Sequence, residues 1–242
     1  MLNTIITLWY VPRSLSTAFE RMMMQRGDFK VFHEPFYLFY LKERASTALG
    51  LKPDLNHPVD FPEILAMIRS AAFEAPVFFK DMPCCVISRA DKDFLSIFEN
   101  TFIIRDPAKT LVSYYRLDPN FTIIEAGYAE QRKMFERVMD ITGKVPALVD
   151  AEDLVENPYG VVKGYCERVG IPFMPEALTW EAVLKPEWTH WEVWHLDVAR
   201  STGFTKDMEA YDISVHDVPR LSEMYELCMP HYEAIYQYRI RG

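Results

Sequence analysis

Three absences narrow the possibilities for this chain. Cysteine is scarce: 242 residues hold only Cys84, Cys85, Cys166 and Cys228, with no C-x-x-C pair. That excludes a disulfide framework and fits a reduced, cytoplasmic protein, with Cys84 and Cys85 as small core residues. Long apolar runs are missing too. The first, Thr4–Val11, is about eight residues against the roughly 20 of a membrane span, and no basic leader precedes it. A dense Lys/Arg tract is also lacking, and the net charge of −9 argues against a nucleic-acid backbone as partner. Among six histidines, His190 and His195 stand five apart, a spacing wrong for two ligands on one helical face, so no metal site is expected.

What is present is ordinary globular material, half hydrophobic and a quarter charged, without repeats or low-complexity stretches. The length predicts one domain over 1–242, as a monomer or homodimer. Apolar runs rich in Val, Ile and Phe fall at Thr4–Val11, Val77–Lys80, Thr101–Ile104 and Ala147–Val149, with a shorter one at Val31–His33. Helical patterns alternate with them at Ser16–Arg26, Phe61–Glu74, Asp106–Arg116, Ile124–Ile141, Pro158–Val169 and Val218–Tyr238. The alternation predicts an α/β fold, a parallel sheet with both faces covered. Leu49–Pro62 carries three prolines and reads as a loop. Trp188, Trp191 and Trp194 form a stripe, either packed core or a substrate wall.

Ligands of open parallel sheets sit beyond the carboxyl ends of the strands. Three polar clusters fall at such ends: Pro12–Thr17, Lys80–Pro83 and Arg105–Pro107. The first follows a strand and opens a helix, a junction that aims N–H groups, hydroxyls and a helix dipole at one spot. This suits a phosphate-type anion. It is equally an ordinary turn, with Thr17 and Glu20 as a capping box. The loop lacks the G-x-x-x-x-G-K-[ST] spacing and holds no glycine, and no evident magnesium ligand set accompanies Asp81 and Asp106, which disfavours an ATP or GTP hydrolase. Arg105 with Ser113 offers an arginine fork and a hydroxyl for a terminal phosphate, or a surface ion pair and a solvent-facing serine.

The run P-R-S-x-S-T-x-x-x-R, from Pro12 to Arg21, resembles the cofactor loop of sulfotransferases that use 3′-phosphoadenosine-5′-phosphosulfate (PAPS). R-D-P-x-x-x-x-x-S-Y-Y from Arg105 is similar to that family's 3′-phosphate motif. His33-Glu-Pro-Phe36 resembles an H-E-P segment often found after the loop. Glu152–Pro158 with Val169–Phe173 resembles the end of the family core. The resemblance implies a three-layer, P-loop-type fold and PAPS as co-substrate, with a small-molecule acceptor. It places Arg13, Ser14, Leu15, Ser16 and Thr17 at the phosphosulfate, and Arg105 and Ser113 at the 3′-phosphate, as two separated basic pockets. Arg200 and Lys206 would close the site. Many members carry lysine at the place of Arg13 and glycine at that of Leu15.

The acceptor must lose a proton, which calls for a base. Glu34 is favoured, then Asp81, then His33; in a strand His33 and Glu34 would face opposite ways. Lys80 either bridges the leaving oxygen or lies on the surface. Two other functions remain open: a P-loop kinase-like enzyme with a degenerate loop, and a non-catalytic protein that binds the product nucleotide, 3′-phosphoadenosine-5′-phosphate (PAP).

Overall fold

All five apolar runs become strands: β1 (Ile5–Tyr10), β2 (Lys30–His33), β3 (Val77–Asp81), β4 (Glu99–Ile104) and β5 (Ala147–Asp150). They form one parallel sheet in the order β2-β3-β1-β4-β5. The computed structural model describes residues 2–43, 57–204 and 212–242. β1 lies at the centre and is buried at every position, which is why its sequence is apolar without alternation.

The helices are α1 (Ser16–Arg26), α2 (Tyr37–Glu43), α3 (Phe61–Glu74), α4 (Pro83–Val86), α5 (Lys92–Leu95) and α6 (Pro107–Leu117). They continue as α7 (Ile123–Ala126), α8 (Tyr128–Thr142), α9 (Ala151–Glu156), α10 (Pro158–Val169), α11 (Glu192–Arg200) and α12 (Pro219–Tyr236). Two cores result. Ile5, Trp9, Phe79 and Phe102 pack with residues of α3, α8 and α12 on one face. Ile6, Leu8, Phe78 and Ile103 pack with residues of α1 and α10 on the other. The architecture is therefore three-layered, with helices flanking the sheet. Among the described residues no helix is long and apolar enough to cross a membrane.

Two expectations need correction. The helix expected over Ile124–Ile141 is split at Gly127, whose φ of 78° ends α7 and admits α8. The capping box expected at Thr17 and Glu20 does not form: α1 follows a left-handed Leu15 with no side-chain cap, and Glu20 points into the protein. Thr122 and Glu125 make a capping box instead, at α7. The loop expected over Leu49–Pro62 lies largely outside the described residues, and α3 begins inside its last two positions.

Gln131 of α8 ties the carboxyl ends of the two central strands together. It is fully buried, and its Nε2 donates to the carbonyls of Trp9 at 3.2 Å and Ile103 at 2.8 Å. Gln131→Met keeps the bulk but removes the donor, leaving two buried carbonyls short of a partner. Urea denaturation should show a loss of about 2 kcal/mol; an unchanged midpoint would mean the strand ends do not need this tie.

Candidate active site

Between β1 and α1 the backbone turns through two left-handed residues, Arg13 at φ 67° and Leu15 at φ 65°. Each such non-glycine residue costs about 1–2 kcal/mol. Leu15 therefore holds the conformation that glycine adopts freely, so the turn keeps its shape with leucine in place. Ser14 between them is fully buried, and its Oγ has no hydrogen-bond partner.

Arg105, at the end of β4, braces this loop. Its Nη1 donates to the Arg13 carbonyl at 3.0 Å and its Nε to Glu152 at 2.9 Å, with the side chain 3% exposed. Glu152 also pairs with Lys109. Burial would raise the Glu152 carboxyl, but Lys109 and Arg105 outweigh it and hold it low. The Arg13 guanidinium turns towards α6 and α11: Nε donates to Ser113 Oγ at 2.8 Å, Nη1 to the Trp194 carbonyl at 2.9 Å and Nη2 to Asp197 at 2.7 Å. Arg13, Arg105 and Ser113 thus gather at one end of the loop instead of in two separated basic pockets.

The cation at the other end is Lys80, fully buried near the end of β3. Its Nζ lies 2.5 Å from Glu34 Oε1, which also accepts from the Tyr10 hydroxyl at 2.5 Å. Burial would raise the Glu34 carboxyl, yet the ammonium beside it holds it well below the usual range. Glu34 has φ 47°, so strand alternation ends at His33 and the two neighbouring side chains converge, contrary to the sequence expectation. His33 Nε2 lies 3.6 Å from Glu34 Oε1, while its Nδ1 lies 2.9 Å from Glu20. From α11, His195 sets Nδ1 3.3 Å from the Thr17 hydroxyl and its ring 4.8 Å from that of His33. Burial, then the neighbouring His33 and Lys80, push the His195 imidazole down to about 2, so it is neutral.

A cavity of about 750 Å³ joins the two ends. Arg13, Thr17, Glu34, Lys80, Ser113 and Arg200 are all on its wall. Leu15 and Ser16 line it as well, and Arg200 is exposed at its rim. Asp81, His33 and the fully buried Ser14 are not among the described residues lining it. Both oxygens of Asp81 are taken by backbone N–H groups, of Phe36 at 2.7 Å and Met82 at 2.8 Å, which makes it a turn-former rather than a base. Lys206 lies outside the described residues. Donor atoms of His33, Glu34 and His195 come within 4.8 Å of one another, a spacing open to a metal ion. Lys80 already neutralises the only carboxylate of that trio, so a divalent cation would meet a fixed positive charge.

Sequence reasoning missed Tyr10, Glu20, His195 and Asp197. The signal for Glu20 was its place one turn after the loop, which capping explained equally well. His195 and Asp197 share the segment of the tryptophan stripe and carried no signal of their own.

Residues 4–239 match the family described as "Sulfotransferase domain". Among curated proteins, the chain is 26% identical to "Branched-chain-amino-acid aminotransferase-like protein 2" of Arabidopsis thaliana, over 96% of this chain and 41% of that protein. It is also 26% identical to the corresponding protein 1 of the same plant, over 94% and 42%. The chain spans about two-fifths of the length of these relatives. Among solved structures, "Sulfotransferase Domain from the Curacin Biosynthetic Pathway" superposes with a TM-score of 0.51 at 14% identity, covering 95% of this chain and 98% of that one. That likeness is one of fold.

Burial, with the Glu34 charge adding to it, pushes the Asp81 carboxyl up to about 7. The folded state therefore keeps a proton that the unfolded chain releases near 3.8. Stability from this group is complete below that value and is lost as pH rises through about 7, by roughly 4 kcal/mol in all. Urea denaturation at a series of pH values should show the decline, and Asp81→Asn should flatten it. The same slope in both proteins would assign the titration elsewhere.

Proposed function

The chain belongs to the sulfotransferase-domain family, and from that premise we propose that it moves a sulfuryl group from PAPS to a hydroxyl or amine of a small acceptor. The observation that carries this reading is the single cavity with Arg13 and Ser113 at one end and Glu34 with Lys80 at the other. The residues present fit such a cofactor. Ser16 and Thr17 open α1 beneath the loop and line the cavity, and Arg13, Arg105 and Ser113 provide cations and a hydroxyl for phosphate oxygens.

PAPS, when bound, supplies an activated sulfuryl group on a phosphate leaving group. In this proposal the chain's own residues do the rest. The Lys80 ammonium and the N–H groups at the start of α1 stabilise the negative charge that grows as the bond to the leaving oxygen lengthens. Glu34 faces the cavity as a carboxylate and removes the acceptor's proton. Tyr10 and Lys80 fix its orientation through Oε1. Tyr37, Met82, Tyr114, Leu117 and Trp194 give the wall a mostly apolar and aromatic character, which favours a small organic acceptor.

Two substitutions test the two ends separately. Arg105→Ala removes a cation and the brace on the loop carbonyl, and should weaken PAP binding by about 1.5–3 kcal/mol in calorimetry. Unchanged affinity would take Arg105 out of the site. Glu34→Gln should retain PAP binding while cutting transfer from radiolabelled PAPS to pooled alcohols, phenols and amines by roughly a hundredfold or more. Tight PAP binding by the wild type with no label transfer to any pool would favour a non-catalytic nucleotide binder.

A further inference from the structure

Sulfuryl transfer to a hydroxyl or amine releases one proton, and Glu34 is a poor place to keep it. Lys80 and Tyr10 both donate to its Oε1 at 2.5 Å, and the ammonium holds the carboxyl well below the usual range. A carboxylate stabilised so strongly passes a captured proton on readily. Directly behind it stands His33, its side chain 6% exposed and its Nε2 without a hydrogen-bond partner 3.6 Å from Glu34 Oε1. The other ring nitrogen is held at 2.9 Å by Glu20, which is fully buried. A carboxylate on one imidazole nitrogen fixes the ring and supports positive charge on it.

Charge balance points the same way. Two carboxylates, Glu20 and Glu34, surround one buried ammonium, Lys80, whose Nζ is 3.9 Å from Glu20 and 2.5 Å from Glu34. His195, the other titratable group against His33, is neutral. The 3-10 turn packed on β2 brings buried Trp188, and its Glu187 is exposed near Arg21. Asp81, also buried, lies in the field of Glu34 and Lys80, so the carboxyl groups of this cluster outnumber its one ammonium. A proton placed between Glu20 and Glu34 sits beside more acidic groups than basic ones.

We propose that the proton taken from the acceptor comes to rest on His33, with Glu20 as the residue that orients the imidazole and balances its charge. This rests on the reading of Glu34 as the acceptor's base. As the acceptor oxygen or nitrogen forms its bond to sulfur, its bond to hydrogen breaks and the proton passes to Glu34. The sulfur–oxygen bond to phosphate breaks, and its electron pair leaves with PAP. Glu34 then gives the proton to His33 Nε2, and the imidazolium sits between two carboxylates until water takes the proton after product release. His33 and Glu20 touch no substrate; they are positioning residues with a proton-holding role.

The first test needs no cofactor. Nitrogen NMR of ring-labelled histidine should show the His33 titration midpoint moving down by one pH unit or more in both Glu20→Gln and Glu34→Gln. A midpoint indifferent to both carboxylates overturns the inference. The second test uses radiolabelled PAPS with pooled alcohols, phenols and amines. His33→Gln should lower turnover at least tenfold with PAP affinity unchanged in calorimetry. His33→Ala, shown to be folded by its thermal transition, should regain several-fold activity with added imidazole. Wild-type turnover in His33→Gln, or no rescue of a folded His33→Ala, sinks the proton store while leaving the transfer reaction standing. A wild-type protein that binds PAP but moves no label to any acceptor removes the underlying reading, and this one with it.

Discussion

A lysine ammonium with no solvent access, near the carboxyl end of β3, constrains this whole edge of the sheet. Removing such a charge from water is tolerated only beside compensating groups. Lys80 finds Glu34 at 2.5 Å, Glu20 at 3.9 Å and the Tyr10 ring face at 4.4 Å. Glu34 reaches it only because the chain leaves β2 through a left-handed residue, a conformation that strains any side chain with a Cβ. Breaking a buried pair of this kind costs about 3–5 kcal/mol, yet an apolar pair of equal volume would stabilise as well. Stability alone does not explain its presence. What the pair contributes is a fixed carboxylate on the cavity wall, opposite the mouth of the loop.

The loop itself is built by the opposite strategy. No side chain caps α1, and two residues with positive φ define the turn. Its shape is held from outside, by the Arg105 guanidinium on the Arg13 carbonyl and by contacts from α6 and α11 to the Arg13 side chain. Donors fixed in this way need no rearrangement when negative charge develops near them, which is the source of electrostatic preorganisation. The two strained spots, at the loop and at Glu34, both border the same cavity.

How far the sequence carried this picture depended on the range of the interactions. Strands buried on both faces wrote themselves as apolar runs, and α1, α3 and α10 carried a clear helical period, so the layered fold was legible. Arg13, Arg105 and Ser113 were singled out because the runs that hold them resemble motifs of a known family, each contained within one strand–loop–helix junction. The meeting of Arg13 with Ser113 spans 100 residues, and that of His195 with Thr17 spans 178; neither has a local signature. Glu20 was misread because a helix-start glutamate usually serves the backbone, whereas here His33 and Lys80 draw it inward. Asp81 was misread because its partner, the Phe36 N–H, lies 45 residues upstream and left no trace in the pattern.

The contacts to Arg13 differ in how firmly they hold. Its bond to Ser113 is shielded, since Ser113 is 4% exposed, whereas the Asp197 side chain is 82% exposed. An ion pair open to solvent on one side is worth about 0–1 kcal/mol. Under the proposed function, a phosphate oxygen reaching Arg13 would displace the exposed Asp197 contact before the shielded Ser113 one. Arg105 is itself only 3% exposed, and its bonds to Glu152 and to the loop carbonyl hold it in place as a brace. The basic end of the cavity is thus rigid in its frame and exchangeable in one exposed pair. That division separates the exposed contact of Arg13 from the turn that Leu15 and Arg13 hold under strain.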